Sequence, residues 1–161
     1  MTRYLTVKEI LRLHFQLIED FGGSHGVRDE NRLLSIEQAP AQVVFGQEQY
    51  PSLFDKAAVY ARNIIGDHPF TDGNKRTGIT CAGIFLMRNG LKLTAAPNEL
   101  EDFAIRIATD KPDIAEIASW FKSHSQKFWF GWFRQSLFYL CSTFSLMTRP
   151  PSMWVGVITL L

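Results

Sequence analysis

Between Val7 and Lys122, apolar residues recur at three- and four-residue intervals, run after run, and Gly or Pro closes most of the runs. Spacing near about 3.6 lines one face of a helix, whereas strands alternate in twos. A chain patterned this way folds by packing helices on helices, and little of it is left for sheet. The first run opens at Thr6-Val7-Lys8-Glu9, a capping box in which a hydroxyl and a carboxylate take up free amides. It predicts a helix over Val7–Phe21 with Ile10, Leu13, Leu17, Ile18 and Phe21 on one face, ended by Gly22-Gly23. His14 has no second ligand three or four residues on and reads as a surface or boundary residue. His25, in a Gly- and Ser-rich loop, reads as exposed.

The later runs follow the same logic. Asp29 caps a short helix carrying Leu33 and Leu34, which Pro40 stops. Val43, Val44 and Phe45 read as a short strand or an apolar edge before Gly46, and Pro51 suits the first position of the next helix. From Ser52 to Gly66 the apolar set is broad, which predicts a central helix contacted on more than one side. A second central helix is predicted over Asn74–Arg88, where Gly78 and Gly83 let a neighbouring helix come close and Asn89-Gly90 is the stop. Leu91-Lys92-Leu93 is a short strand, and Asn98–Thr109 and Asp113–Lys122 are two further amphipathic helices. The fold class is therefore mostly α, a helical bundle with at most a short β-hairpin.

Composition narrows the function. At 161 residues and 46% hydrophobic, the chain suits one compact domain with a real core. Up to residue 124 there are 14 basic against 16 acidic residues, a balance without the basic stripe that nucleic acid demands. Cys81 and Cys141 lack metal-type spacing and read as reduced cytosolic thiols, and the N-terminus shows no apolar run of a secretory signal. The segment from 125 onward differs in kind. Phe128–Met147 carries one charge, Arg134, among eight aromatic residues. Its length would just cross a hydrocarbon layer of about 30 Å, yet a central Arg costs roughly 2.5–3.5 kcal/mol there. Three readings stay open for this tail: a membrane-associated appendage, a patch covered by a partner, and an extension with no selected role.

The chemistry concentrates where the two central helices meet, in His68-Pro69-Phe70-Thr71-Asp72-Gly73-Asn74-Lys75-Arg76-Thr77-Gly78. One loop supplies a titratable imidazole, a carboxylate, a glycine turn opening a helix, and two cations. Phosphate chemistry needs a base near the attacking hydroxyl, a carboxylate for a divalent ion, and amides and cations for the phosphates. Singly, each residue has a duller reading: His68 a capping or core histidine, Asp72 a turn residue, Asn74 an N-cap, Lys75 and Arg76 a solvated first turn. Their joint spacing is what is specific.

That spacing resembles the signature of the Fic superfamily, H-x-F-x-[D/E]-G-N-[G/K]-R, which stands complete as His68 to Arg76. Lys75 replaces the glycine common in adenylyl-transferring members, and Ile79 stands where they usually carry a second arginine. Both features resemble the Doc, or death-on-curing, branch of toxins. The likeness runs through Leu5-Thr6-Val7, the loop Gly22–Asp29 and Tyr50-Pro51, covering about residues 4–124. It implies a Fic/Doc-like domain over 1–124 and leaves 125–161 as the apolar tail. It further implies that His68 is the general base, that Asp72 binds Mg²⁺, and that Phe70 is a core anchor. Gly73, Asn74, Lys75, Arg76 and Thr77 would form the nucleotide site, with Asp72, Lys75 and Arg76 joining His68 in catalysis. In Doc-type proteins the lysine goes with a reversed nucleotide, so the implied reaction is ATP-dependent phosphorylation of a Ser or Thr of elongation factor Tu in the cytoplasm. Adenylyl transfer and a non-catalytic nucleotide-binding module are the alternatives. The self-inhibiting motif S/T-x-x-x-E-G/N is absent, because no Glu has Ser or Thr four residues before it. Restraint by a separate antitoxin of the Phd type is the corresponding expectation.

Overall fold

Six helices and two small antiparallel strand pairs make up residues 1–127, the part of the chain that the computed structural model describes. Helix α1, Val7–Phe21, starts at the expected capping box: Thr6 N donates to Glu9 Oε2 at 2.9 Å and Glu9 N to Thr6 Oγ1 at 3.3 Å. Helix α2, Glu30–Gln38, is capped by the Asp29 carboxylate, which accepts from Arg32 N at 3.0 Å, and runs into a tight turn, Ala39–Ala41, that buries Pro40. A hairpin follows, β1 Val43–Val44 and β2 Gln47–Glu48. Its two turn residues, Phe45 and Gly46, both have positive φ, 50° and 78°, as the tightest hairpin turn requires.

Helix α3, Leu53–Asp67, begins two residues later than Pro51 suggested. Ser52 is the cap, because its hydroxyl accepts from Asp55 N at 3.0 Å while Asp55 Oδ2 accepts from Ser52 N at 3.0 Å. That reciprocal pair satisfies two amides where a proline at the first helical position satisfies none. Helix α4 spans Asn74–Arg88, β3 Leu91–Leu93, α5 Pro97–Asp110, α6 Ile114–Ser123 and β4 Ser125–Lys127. Strand β4 pairs antiparallel with β3, Leu93 opposite Ser125 and Leu91 opposite Lys127. The helical domain thus takes in three residues beyond 124, and the aromatic tail reading, Phe128 onward, lies outside the described residues. Among those described, no helix is long and apolar enough to cross a membrane.

Helices α3 and α4 form the centre and pack along their lengths. Tyr60, Ile64, Ile65, Ile79, Phe85 and Leu86 are essentially buried between them and their neighbours, each contributing about 1.5–3 kcal/mol by leaving water. The close approach is made at Gly78, where a Cβ would sit 2.6 Å from Ile65 Cγ1 and 3.1 Å from the Ala61 carbonyl oxygen. Gly83 faces strand β3, not a helix, with Leu93 Cδ1 3.3 Å from its would-be Cβ. A charge also enters this core: Lys56 on α3 is buried and reaches Glu48 Oε2 at 2.8 Å and the Tyr50 carbonyl, fastening the hairpin to the helix.

Replacing Gly78 by Val is therefore expected to overpack the α3–α4 seam and cost about 1–3 kcal/mol in urea unfolding. Gly66→Ala, whose Cβ would meet nothing within 4 Å, should move stability the other way by up to about 1 kcal/mol.

Candidate active site

The chain must leave α3 and enter α4 within six residues. It leaves through His68, whose φ of 50° and ψ of 56° lie in the left-handed region, at a cost of about 1–2 kcal/mol for a residue with a side chain. Pro69 denies it the right-handed helical region, so the helix ends there as the sequence suggests, though by a left-handed exit and not an extended one. The imidazole is left exposed at the start of the turn.

Phe70 then plunges into the core, fully buried, and its main chain is gripped from both sides by one side chain. Phe70 N donates to Asn74 Oδ1 at 2.9 Å, and Asn74 Nδ2 donates to the Phe70 carbonyl at 2.9 Å. Asn74 is consequently not the helix cap. That place belongs to Gly73, at φ 71° and ψ 9°, where a Cβ would also come within 2.9 Å of Ile18 Cδ1. The first bond of the α4 ladder runs from Thr77 N to the Gly73 carbonyl at 2.9 Å. The amides of Asn74, Lys75 and Arg76 precede that ladder, and the helix end adds partial positive charge, so an anion is favoured there.

The loop between α1 and α2 wraps the same turn. Val27 and Phe70 form an antiparallel bridge, Thr71 N donates to the Gly26 carbonyl at 3.0 Å, and Arg28 N to the Pro69 carbonyl at 2.7 Å. Ser24 N donates to Asp72 Oδ2 at 3.3 Å, and Gly73 N to Asp72 Oδ1 at 2.6 Å. These amides, Gly73's foremost, followed by the nearby Arg76 charge, hold the Asp72 carboxyl below the usual carboxylate range. Glycine suits position 23, because its φ of 131° disfavours a side chain and a Cβ would lie 2.6 Å from Asp72 Oδ2. Arg76 is half-buried and donates through Nη1 to the Gly22 carbonyl at 3.2 Å, while Lys75 is exposed. Both cations line a cleft of about 160 Å³ between α4 and α5, floored by Ile79, Leu100, Ala104 and Ile105.

Two residues stand differently from their sequence reading. Thr77, expected at the nucleotide, is fully buried, and its hydroxyl lies 3.2 Å from His14 Nδ1, so its side chain supports the turn from inside. His14 is not at the surface: it is 4% exposed and stacks on the Phe70 ring at 3.8 Å and 8°. Burial, then the neighbouring His25, pushes its pKa down against the opposing pull of Asp72. The signal was present, since His14 sits four residues from both Ile10 and Ile18 on the buried face of α1. Ser24 was also missed, because its backbone amide and not its side chain does the work.

The donor set suits Mg²⁺: Asp72 presents hard oxygen atoms and stays ionised. The described residues hold no group of three or more His, Cys, Asp or Glu able to share an ion. An ion there would complete its shell from phosphate oxygens and water, as Mg²⁺ prefers. The Fic/DOC family model matches residues 4–86, which hold the whole turn and its α1–α2 wrapping. The chain belongs to the Fic/Doc family. It is 36% identical over 121 residues to the toxin Doc of Mycolicibacterium smegmatis, covering 74% of this chain and 91% of that protein. It is 32% identical over 117 residues to the protein kinase doc of Escherichia phage P1, covering 72% and 90%. Both matches reach past the helices that hold the Fic/Doc turn.

Asn74→Ala should unfasten Phe70 and leave two buried main-chain groups unpaired, a loss of about 2–4 kcal/mol by chemical denaturation. Because His14 binds a proton less readily folded than unfolded, stability should decline as pH falls through the ordinary histidine range of about 6.5. Unfolding curves between pH 7.5 and 5.5 test this, with a smaller decline expected in His14→Phe.

Proposed function

We propose that this chain is a Doc-like toxin that transfers the γ-phosphoryl group of ATP to a Ser or Thr hydroxyl of a protein target, elongation factor Tu, in the cytoplasm. The observation that carries the reading is Lys75. It is exposed in the first turn of α4, beside the Gly73 corner, where adenylyl-transferring members have glycine. A side chain with a compact charge at that corner leaves less room for a diphosphate and attracts the outer phosphates, which favours a reversed nucleotide. The relatives named a toxin and a protein kinase support the same assignment.

In this mechanism His68 accepts the hydroxyl proton through its exposed ring as the oxygen attacks the γ-phosphorus. The bond from that phosphorus to the bridging oxygen breaks, ADP departs, and His68 leaves protonated. Amides of Asn74 to Arg76, with Lys75 and Arg76, take up charge on the transferring group. Asp72, kept ionised by Gly73 and Ser24, would hold Mg²⁺, which when bound neutralises phosphate charge. The apolar cleft floored by Ile79, Leu100, Ala104 and Ile105 suits an amphipathic segment of an antitoxin, of the Phd type, that folds on binding.

Incubation with elongation factor Tu and ATP labelled separately at the α and γ positions tests the reaction: label from γ alone is expected. Label from α would assign nucleotidyl transfer instead. Lys75→Gly should shift product toward α label, and His68→Ala should abolish transfer with ATP affinity changed less than about three-fold. The chain alone should be active on a competent target, and inertness without a further factor would overturn restraint by an antitoxin.

A further inference from the structure

His14 belongs to none of the motif positions, yet it lies beneath two of them, Phe70 and Gly73, and beneath Thr77, which follows them. Its ring lies parallel to Phe70 at 3.8 Å, its Nδ1 is 3.2 Å from Thr77 Oγ1, and its Cε1 would be 3.6 Å from a Cβ on Gly73. These residues sit at the anchor, the corner and the first ladder amide of one turn. An imidazole is a costly choice for packing alone. Its Nε2 is buried with no hydrogen-bond partner among the described residues, and an apolar ring of similar shape would stack on Phe70 without that penalty. What the imidazole provides and an apolar ring would not is a partner for the Thr77 hydroxyl, which is fully buried and has no other among the described residues.

We infer that His14 is a positioning residue of the transfer site, fixing through Thr77 and Phe70 the orientation of the α4 amides and of the Gly73 corner. The inference rests on the phosphate-transfer reading of the turn. Asn74 holds the turn by its main chain at Phe70, and the loop Gly22–Asp29 holds it from outside. His14 closes the third side, tying α1 to the first turn of α4. A tilt of that turn would move amides relative to a phosphate without unfolding anything.

The test compares His14→Phe, which keeps the stack, with Thr77→Val, which keeps the shape, and with the double variant. Each single variant is expected to lower kcat for γ-phosphoryl transfer by on the order of 10- to 100-fold, with a smaller change in KM for ATP. The double variant should be no worse than the poorer single one, because the two groups act as one unit. Hydrogen exchange supplies a readout that needs no turnover. The first bonded amides of α4, beginning with Thr77 N on the Gly73 carbonyl, should exchange about ten-fold faster in both variants, with those of α3 unchanged. His14→Gln, which can still bond Thr77, should recover part of the protection and part of the rate, and serves if His14→Phe folds poorly. Full kcat in the variants, additive losses, or exchange quickened equally throughout the fold would each overturn the inference. If the wild-type chain transferred nothing, the transferase reading would fall, and the local exchange pattern would still decide whether His14 positions the turn.

Discussion

The two hydrogen bonds between the Asn74 side chain and the Phe70 main chain are what the rest of the site hangs on. A chain that ends one helix at Asp67 and begins another at Asn74 has to reverse within a handful of residues, and each exposes backbone groups that water would otherwise solvate. By satisfying both polar groups of a fully buried residue, the carboxamide lets Phe70 drop into the core. The intervening Thr71, Asp72 and Gly73 are then forced to the surface in one shape. The phenyl ring is thus the foundation and the carboxylate is the tip, and neither could be where it is without the other.

Around that turn the fold assembles restraints that come from far along the chain. The Gly22–Asp29 loop contributes main-chain amides and carbonyls almost exclusively, so its glycines matter for the space they leave open. Ser24 N and Gly73 N approach the two oxygens of one carboxylate, which holds Asp72 below the usual carboxylate range beyond what its exposure to solvent provides. The cations are divided in kind: Arg76 is tied to the Gly22 carbonyl and Lys75 stands free of the wrapping loop. A tethered guanidinium and an exposed ammonium therefore sit side by side at the start of α4.

What could be read in advance was what the sequence encodes over a few residues. The Thr6–Glu9 box, the Asp29 cap and the stops at Gly22 and Asn89-Gly90 are local interactions, and the helices begin and end within a residue or two of where these placed them. Ser52–Asp55 was overlooked only because Pro51 offered a competing start. The whole turn from His68 to Arg76 was legible as a string, but its internal wiring was not. Which face of Thr77 is buried, or that Ser24 reaches Asp72 across 48 residues, depends on how α1 and its loop dock. His14 shows the limit plainly, since the periodicity of α1 put it inward while the usual preference of histidine argued for the surface. Lys56 is a similar case, its burial explained only by a carboxylate on a hairpin that the local pattern did not predict to be nearby.

The opposite end of α4 holds its own small junction. Asn89 exchanges hydrogen bonds with the main chain of Arg3, and β4 runs antiparallel to β3 until Lys127 lies opposite Leu91. Both ends of the described segment are thereby gathered at one pole, and the fifteen residues of α4 place that pole about 22 Å from the Asp72–Gly73 turn. Arg3 and Lys127 thus lie a full helix length from Asp72 and Gly73, so a probe attached at either residue would report on the far pole and leave that turn untouched.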